Sequence, residues 1–210
     1  MRLFLIILFF SATAFALPVP ADHPSSAADL TISYSISLRL KKDNAGVGEI
    51  YNGGIQTIFA GKHEARLRLA SLMRIESVFA VFDNGGLKNI TLIKESGSNK
   101  KRKVLSPGQW NQYNNKYNGA TCHLSEDTML ILKHICKKAV INLKDGRQMT
   151  AWYYPDSPKS SFSYLLPAFS GIPGIVLKYE YTYKKKTLIY TATSISYEPI
   201  SADVFTPPGN

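Results

Sequence analysis

The chain has 210 residues, 45% hydrophobic and 19% charged, which is the composition of an ordinary globular protein with enough length for a real core. Its 25 Lys and Arg outnumber 15 Asp and Glu, giving a formal net charge of +10. A basic chain suggests nucleic acid, but the N-terminus points to export and argues against that partner; anionic headgroups or acidic glycans remain as surfaces that a basic face would favour.

Residues 1–16 read as a secretory signal peptide. Arg2 supplies the positive start, Leu3 to Phe10 is an unbroken apolar run, and Ala14-Phe15-Ala16 is a small-x-small cleavage pattern, cut after Ala16. The apolar run is shorter than the roughly 20 residues that span a bilayer. No cysteine follows the cleavage site, so no lipid anchor is expected. Leu17 to Asp29 has three prolines and little hydrophobic pattern, and reads as a flexible leader. Residues 30–210 are expected to form one β-rich domain, in the periplasm or outside the cell.

From Leu30 the dominant hydrophobic period is two. Ile32, Tyr34, Ile36, Leu38 and Leu40 alternate with Thr31, Ser33, Ser35, Ser37 and Arg39, the pattern of a half-buried strand. Glu64 to Leu69 repeats it, with a helix over Ala65–Met73 as the alternative. Val78–Phe82 and Ile90–Glu95 flank Asp83-Asn84-Gly85-Gly86, a hairpin signal. Ser106-Pro107-Gly108-Gln109 carries a capping box and a proline at the first helical position, so a short helix should start there, with Trp110, Tyr113 and Tyr117 on one face. Asp145-Gly146 signals a turn between Ala139–Leu143 and Met149–Tyr154. Ile175, Leu177, Tyr179, Tyr181 and Tyr183 form a further apolar face, and Leu188–Tyr197 the last long strand. The lysine-rich runs at 100–103 and 184–186 are expected at hairpin ends, where charge opposes edge-to-edge pairing.

The fold class that follows is mainly β (α+β): a strongly curved antiparallel sheet, or incomplete barrel, of roughly nine to eleven strands with one or two short helices. Its apolar, aromatic face needs a cover, either a second layer, a helix or a ligand.

Chemistry is sparse. Cys122 and Cys136 flank Glu126-Asp127, a candidate turn, and a disulfide would pin that hairpin; free buried thiols are the alternative. Cys122-His123 and His134-x-Cys136 match no common zinc spacing, and a strand would point Cys122 and His123 to opposite faces. A cysteine nucleophile lacks an orienting acid in a recognisable context, and there is no nucleophile elbow, P-loop or dinucleotide fingerprint. No catalytic, metal-binding or cofactor-binding residue is assigned, no cofactor is expected, and the chain reads as a non-enzyme.

Two clusters carry a resemblance. Cys136-Lys137-Lys138-Ala139, Gly146-Arg147 and Thr150-Ala151-Trp152-Tyr153-Tyr154 are followed by Phe169-Ser170-Gly171-Ile172-Pro173-Gly174-Ile175-Val176-Leu177. In order and spacing they resemble the GLPGLI family of small exported proteins, mainly from Bacteroidetes-type bacteria. Asp203-Val204-Phe205-Thr206-Pro207-Pro208 is similar to the closing motif of related envelope proteins. Ile172 and Ile175 stand where leucine is usual, and the segment before the motif lacks the common Gly-Pro. The resemblance implies an envelope protein without assigned chemistry, distantly like the LolA/LolB-type curved sheets that wrap a hydrophobic cavity under a helical lid. The motif itself reads as a sheet corner, since Gly171 and Gly174 permit unusual backbone angles and Pro173 fixes φ between them; a ligand-contacting loop is the alternative. Trp152 and Tyr153 read as core or rim packing, with a binding platform as the alternative.

The function expected is therefore an exported, non-enzymatic envelope protein that holds a lipid or acyl chain against a concave sheet. The alternative is a closed-core protein that binds an envelope protein or surface polymer through its basic face. Nucleic acid is not expected as a partner. The mature chain is expected to be soluble, with peripheral contact to an anionic membrane surface.

Overall fold

The computed structural model describes residues 29–40, 51–83, 86–157, 162–183 and 186–209. The expected signal peptide, residues 1–16, and most of the expected leader lie outside these residues. Eleven strands belong to one antiparallel sheet: β1 (Leu30–Leu40), β2 (Ile55–Ala60), β3 (Glu64–Ala70), β4 (Ile75–Asp83), β5 (Gly86–Ser96), β6 (Asn99–Leu105), β7 (Thr121–Ile131), β8 (His134–Asn142), β9 (Gln148–Tyr154), β10 (Ile175–Tyr183) and β11 (Lys186–Ser196). Glu64–Ala70 is strand and not helix.

The strands lie in the order β6-β5-β4-β3-β2-β1-β11-β10-β9-β8-β7. The first and last strands thus pair at the centre, and two meanders run outward from them. β6 and β7 follow one another in the chain yet occupy opposite edges, so the sheet is an open barrel. They are joined by α1 (Pro107–Tyr113) and a 3-10 turn at Asn115–Tyr117.

The sheet curves towards its apolar face. Tyr179 on β10 donates a hydrogen bond to Gln56 Oε1 on β2 at 3.1 Å, although β2 and β10 are three strand positions apart, about 14 Å in a flat sheet. Register shifts on β11, β10, β5 and β7 supply local bends, at Thr193, Leu177, Lys88 and Glu126-Asp127.

Alternation predicts the inner face of β1 well: Leu30, Ile32, Tyr34 and Ile36 are buried. On β10 it fails. The bulge at Leu177 reverses the phase, so Val176 and Tyr179 share the inner face while Ile175, paired with Tyr154, is on the other. Ile175, Val176 and Leu177 are all buried, because both faces of the sheet are covered at this corner.

The inner face is covered by the chain's own connections. α1 packs on β5 and β6 and buries Trp110. Ser106 caps it, accepting from the Gln109 N–H, while Gln109 accepts from the Ser106 N–H. The long connection between β9 and β10 supplies α2 (Phe162–Leu165), which packs on β3 and β4, and a 3-10 turn at Pro167–Phe169. Leu165, Phe169 and Ile172 from this connection are buried in the main cluster.

The back of the sheet has its own clasp. The 3-10 turn Ala202–Phe205 lies against β3. Arg66 stacks over Phe79 at 4.7 Å and donates to the Val204 carbonyl at 3.0 Å, while Lys100 donates to the Gly209 carbonyl. The Asp203–Pro208 motif is therefore an external strap.

Two charge expectations shift position. Residues 100–103 run along the edge strand β6 and not at its turn, and every β6 residue except Leu105 is exposed. A basic edge of this kind resists pairing with another sheet. Lys186 opens β11, and Lys184 and Lys185 lie outside the described residues.

Candidate functional site

At the centre of the inner face, four strands contribute one polar-edged aromatic cluster. Alternation brings Tyr34 (β1), Gln56 (β2), Tyr179 (β10) and Tyr190 (β11) to the same side. Tyr179 stacks on Tyr190 with centroids 4.3 Å apart, meets Tyr34 edge-on at 6.0 Å, and meets Phe169 of the covering connection edge-on at 5.0 Å. Such offset and edge contacts follow from the ring quadrupoles.

The hydroxyls are mostly matched. Tyr34 donates to the Val176 carbonyl at 2.7 Å, which ties β1 to the start of β10. Tyr179 donates to Gln56 Oε1. Burial raises the phenols of Tyr34, Tyr179 and Tyr190 above their ordinary range, with neighbouring tyrosines adding to the shift at Tyr179 and Tyr190, so all three stay neutral. One donor is unmatched: Gln56 is 3% exposed and its Nε2 has no hydrogen-bond partner. A buried amide in that state costs about 1–3 kcal/mol, so it calls for a physical explanation.

Directional bonds tie the parts of the cover to each other. Trp110 Nε1 donates to the Tyr164 carbonyl at 3.1 Å, linking α1 to α2, and Tyr164 packs against Phe82. Tyr113 stacks on Trp110 from the solvent side. Neither α1 nor α2 is a strand of the sheet, so displacing them breaks no ladder.

The motif residues have structural placements. Gly174 has φ +150°, and a Cβ there would sit 2.2 Å from the Tyr154 carbonyl oxygen. Gly171 differs from the expectation: its φ is not in the positive region, and a Cβ there would sit tight against the Cys122 side chain, 3.2 Å away. Gly146 takes φ +80° in the β8–β9 turn, where Asp145 pairs with Arg147, whose guanidinium also meets the ring and hydroxyl of Tyr181. Ala139 and Ala151 are opposed small residues on the inner face. Tyr153 is buried inside, and Trp152 lies on the outer face under Lys138.

Cys122 and Cys136 are free thiols. Cys122 faces Ile141 on β8, five residues along the strand from Cys136, about 16 Å away, so this fold does not bring the two together for a bridge. The expected turn at Glu126-Asp127 is instead a bulge inside β7, with Glu126 paired to Lys137 and Asp127 to Lys138. The chain turns at Leu132-Lys133, both with positive φ. Burial pushes the Cys136 thiol up to about 11 and raises Cys122 as well, so neither is held as a thiolate at neutral pH. No group of three or more metal-ligating side chains occurs among the described residues.

Sequence reasoning located Tyr34 and Tyr179 but missed Tyr190 and Gln56; the signal for Gln56 was present, a glutamine sharing the inward face of its strand with Ile58 and Ala60. Comparison with family models finds no match, and none of the curated proteins matches. Among solved structures, the chain is similar to PNGF-II at 14% identity and a TM-score of 0.48, covering 87% of this chain and 30% of that one. It is also similar to a beta-barrel-like protein of the domain of unknown function DUF1849 from Brucella abortus, at 9% identity and a TM-score of 0.33, covering 80% of this chain and 97% of that one. This chain thus spans less than a third of the length of PNGF-II.

Proposed function

We propose that this chain is an exported, non-enzymatic envelope protein of the GLPGLI type, whose open barrel holds a hydrophobic ligand under a displaceable cover. The ligand is a lipid or acyl chain with one hydrogen-bond acceptor. The observation that carries this reading is the Gln56 amide, buried among Tyr34, Tyr179 and Tyr190 with its Nε2 unmatched. A carbonyl or carboxylate entering beside Phe169 would accept from it, while the aromatic rings take the hydrocarbon. β6 and β7 share no ladder and are joined through α1, so moving this part of the cover breaks no strand pairing.

Delipidated protein mixed with envelope lipid extract and examined by native mass spectrometry should carry one bound lipid mass. Gln56→Leu, which keeps the filling and removes the donor, should weaken that binding severalfold. No bound mass in the unmodified protein would remove the carrier reading.

The burial of Leu165, Phe169 and Ile172 over the same cluster favours a second reading, a closed-core protein that works through its basic surface. The same experiment separates the two.

A further inference from the structure

The β3–β4 turn presents apolar side chains for which folding has no use. Ser71 to Arg74 closes as a tight turn, with the Ser71 N–H donating to the Arg74 carbonyl at 2.9 Å and the Ser71 hydroxyl to the same carbonyl at 3.1 Å. Between them Leu72 is 91% and Met73 68% exposed. Beside the tip, Ile55, Ala70 and Ile75 form a cross-strand row, with Ile55 exposed and the other two half-buried. These five residues give this end of the β2–β4 sheet an apolar character.

Cations flank this tip on its β5–β6 side. The neighbouring β5–β6 turn shares a groove with it, lined by Ser71 to Ile75, Glu95, Ser96 and Gly97. An adjoining groove is lined by Arg74, Lys94 and Lys101, with Glu95 the one acid among its lining residues. Arg74 and Lys94 share the single carboxylate of Glu76, and Lys101 is in no ion pair among the described residues. The result is a protruding apolar tip with Arg74 at its base and Lys94 and Lys101 beside it on the inner face, while the Ile55–Ala70–Ile75 row is on the outer face. A protein partner would need a pocket to receive the tip. A bilayer needs none, because acyl chains accept the tip at any point while anionic headgroups meet the cations beside it.

We propose that the β3–β4 turn docks the protein on an anionic lipid bilayer, inserting Leu72 and Met73 while Arg74, Lys94 and Lys101 contact lipid phosphates. This docking does not depend on the barrel's holding a ligand.

The test is vesicle co-sedimentation of protein purified after export, using phosphatidylcholine vesicles with and without phosphatidylglycerol. Binding should require phosphatidylglycerol and fade as salt rises. Leu72→Ser with Met73→Ser should lower partitioning about tenfold or more, and Arg74→Gln with Lys101→Gln by a similar factor, with melting temperatures unchanged. Leu130→Ser, at an exposed apolar position on the opposite edge hairpin, should change nothing. Equal binding to neutral vesicles, wild-type partitioning of the tip variant, or binding only to a soluble acidic polysaccharide would each overturn the proposal. Native lipid binding in the absence of vesicles reads the interior separately, so a failure here leaves that reading standing.

Discussion

Two connections of this sheet carry apolar residues and treat them in opposite ways. The β9–β10 connection is long enough to fold back across the inner face, and it buries Leu165, Phe169 and Ile172. The β3–β4 turn is closed by a hydrogen bond four residues across, so Leu72 and Met73 have no surface to fold onto. Apolar character in the first is explained by the core. In the second it contributes nothing to the core, and its explanation lies outside the folded chain.

That contrast can be broken at graded cost. Gly174→Ala should be the most damaging substitution, losing more than about 4 kcal/mol, because the new Cβ meets the Tyr154 carbonyl and cannot take that φ without strain. Urea unfolding of the variant reads it. Phe169→Ala should cost about 3 kcal/mol or more by emptying the contact over Tyr179. Tyr34→Phe removes the bond to the Val176 carbonyl and should cost about 1 kcal/mol. Leu72→Ala should stay within about 0.5 kcal/mol by the same assay, although it removes as apolar a side chain.

Buried titratable groups on both faces of the sheet also set a pH limit. Cys136 is raised to about 11, and the buried phenols are raised too, so the folded state holds these groups neutral where the unfolded chain would ionise them. The contribution of Cys136 is whole below about pH 9 and is lost as pH climbs through about 11, and the raised phenols extend the loss to higher pH. Near-ultraviolet circular dichroism followed upward from neutral pH should show a cooperative alkaline transition and little change below it.

Much of the fold was legible because strands announce themselves by period two. β1 and β3 were readable to within a residue, and Ser106-Pro107-Gly108-Gln109 named its own helix start. Two of the misses have one physical source, the bulge. One extra residue at Leu177 inverted the expected face of Ile175, and Glu126-Asp127 looked like a turn because acids and turns share composition. The true turn, Leu132-Lys133, has none of the glycine or asparagine that positive φ ordinarily selects, so no pattern could mark it. Gln56 was visible as a residue but not as a site. Its meaning depends on Tyr179 arriving from 123 positions away along the chain.

The most direct probe is backbone hydrogen exchange across α1 and residues 162–172, with and without cis-parinaric acid as the acyl probe. In the unliganded protein these amides should exchange faster than those of β1, β10 and β11, and filling the space beneath them should change their rates while the ladders stay as they were. A fatty acid that binds without altering the cover, or a cover already as protected as the central strands, would mean that the barrel does not open.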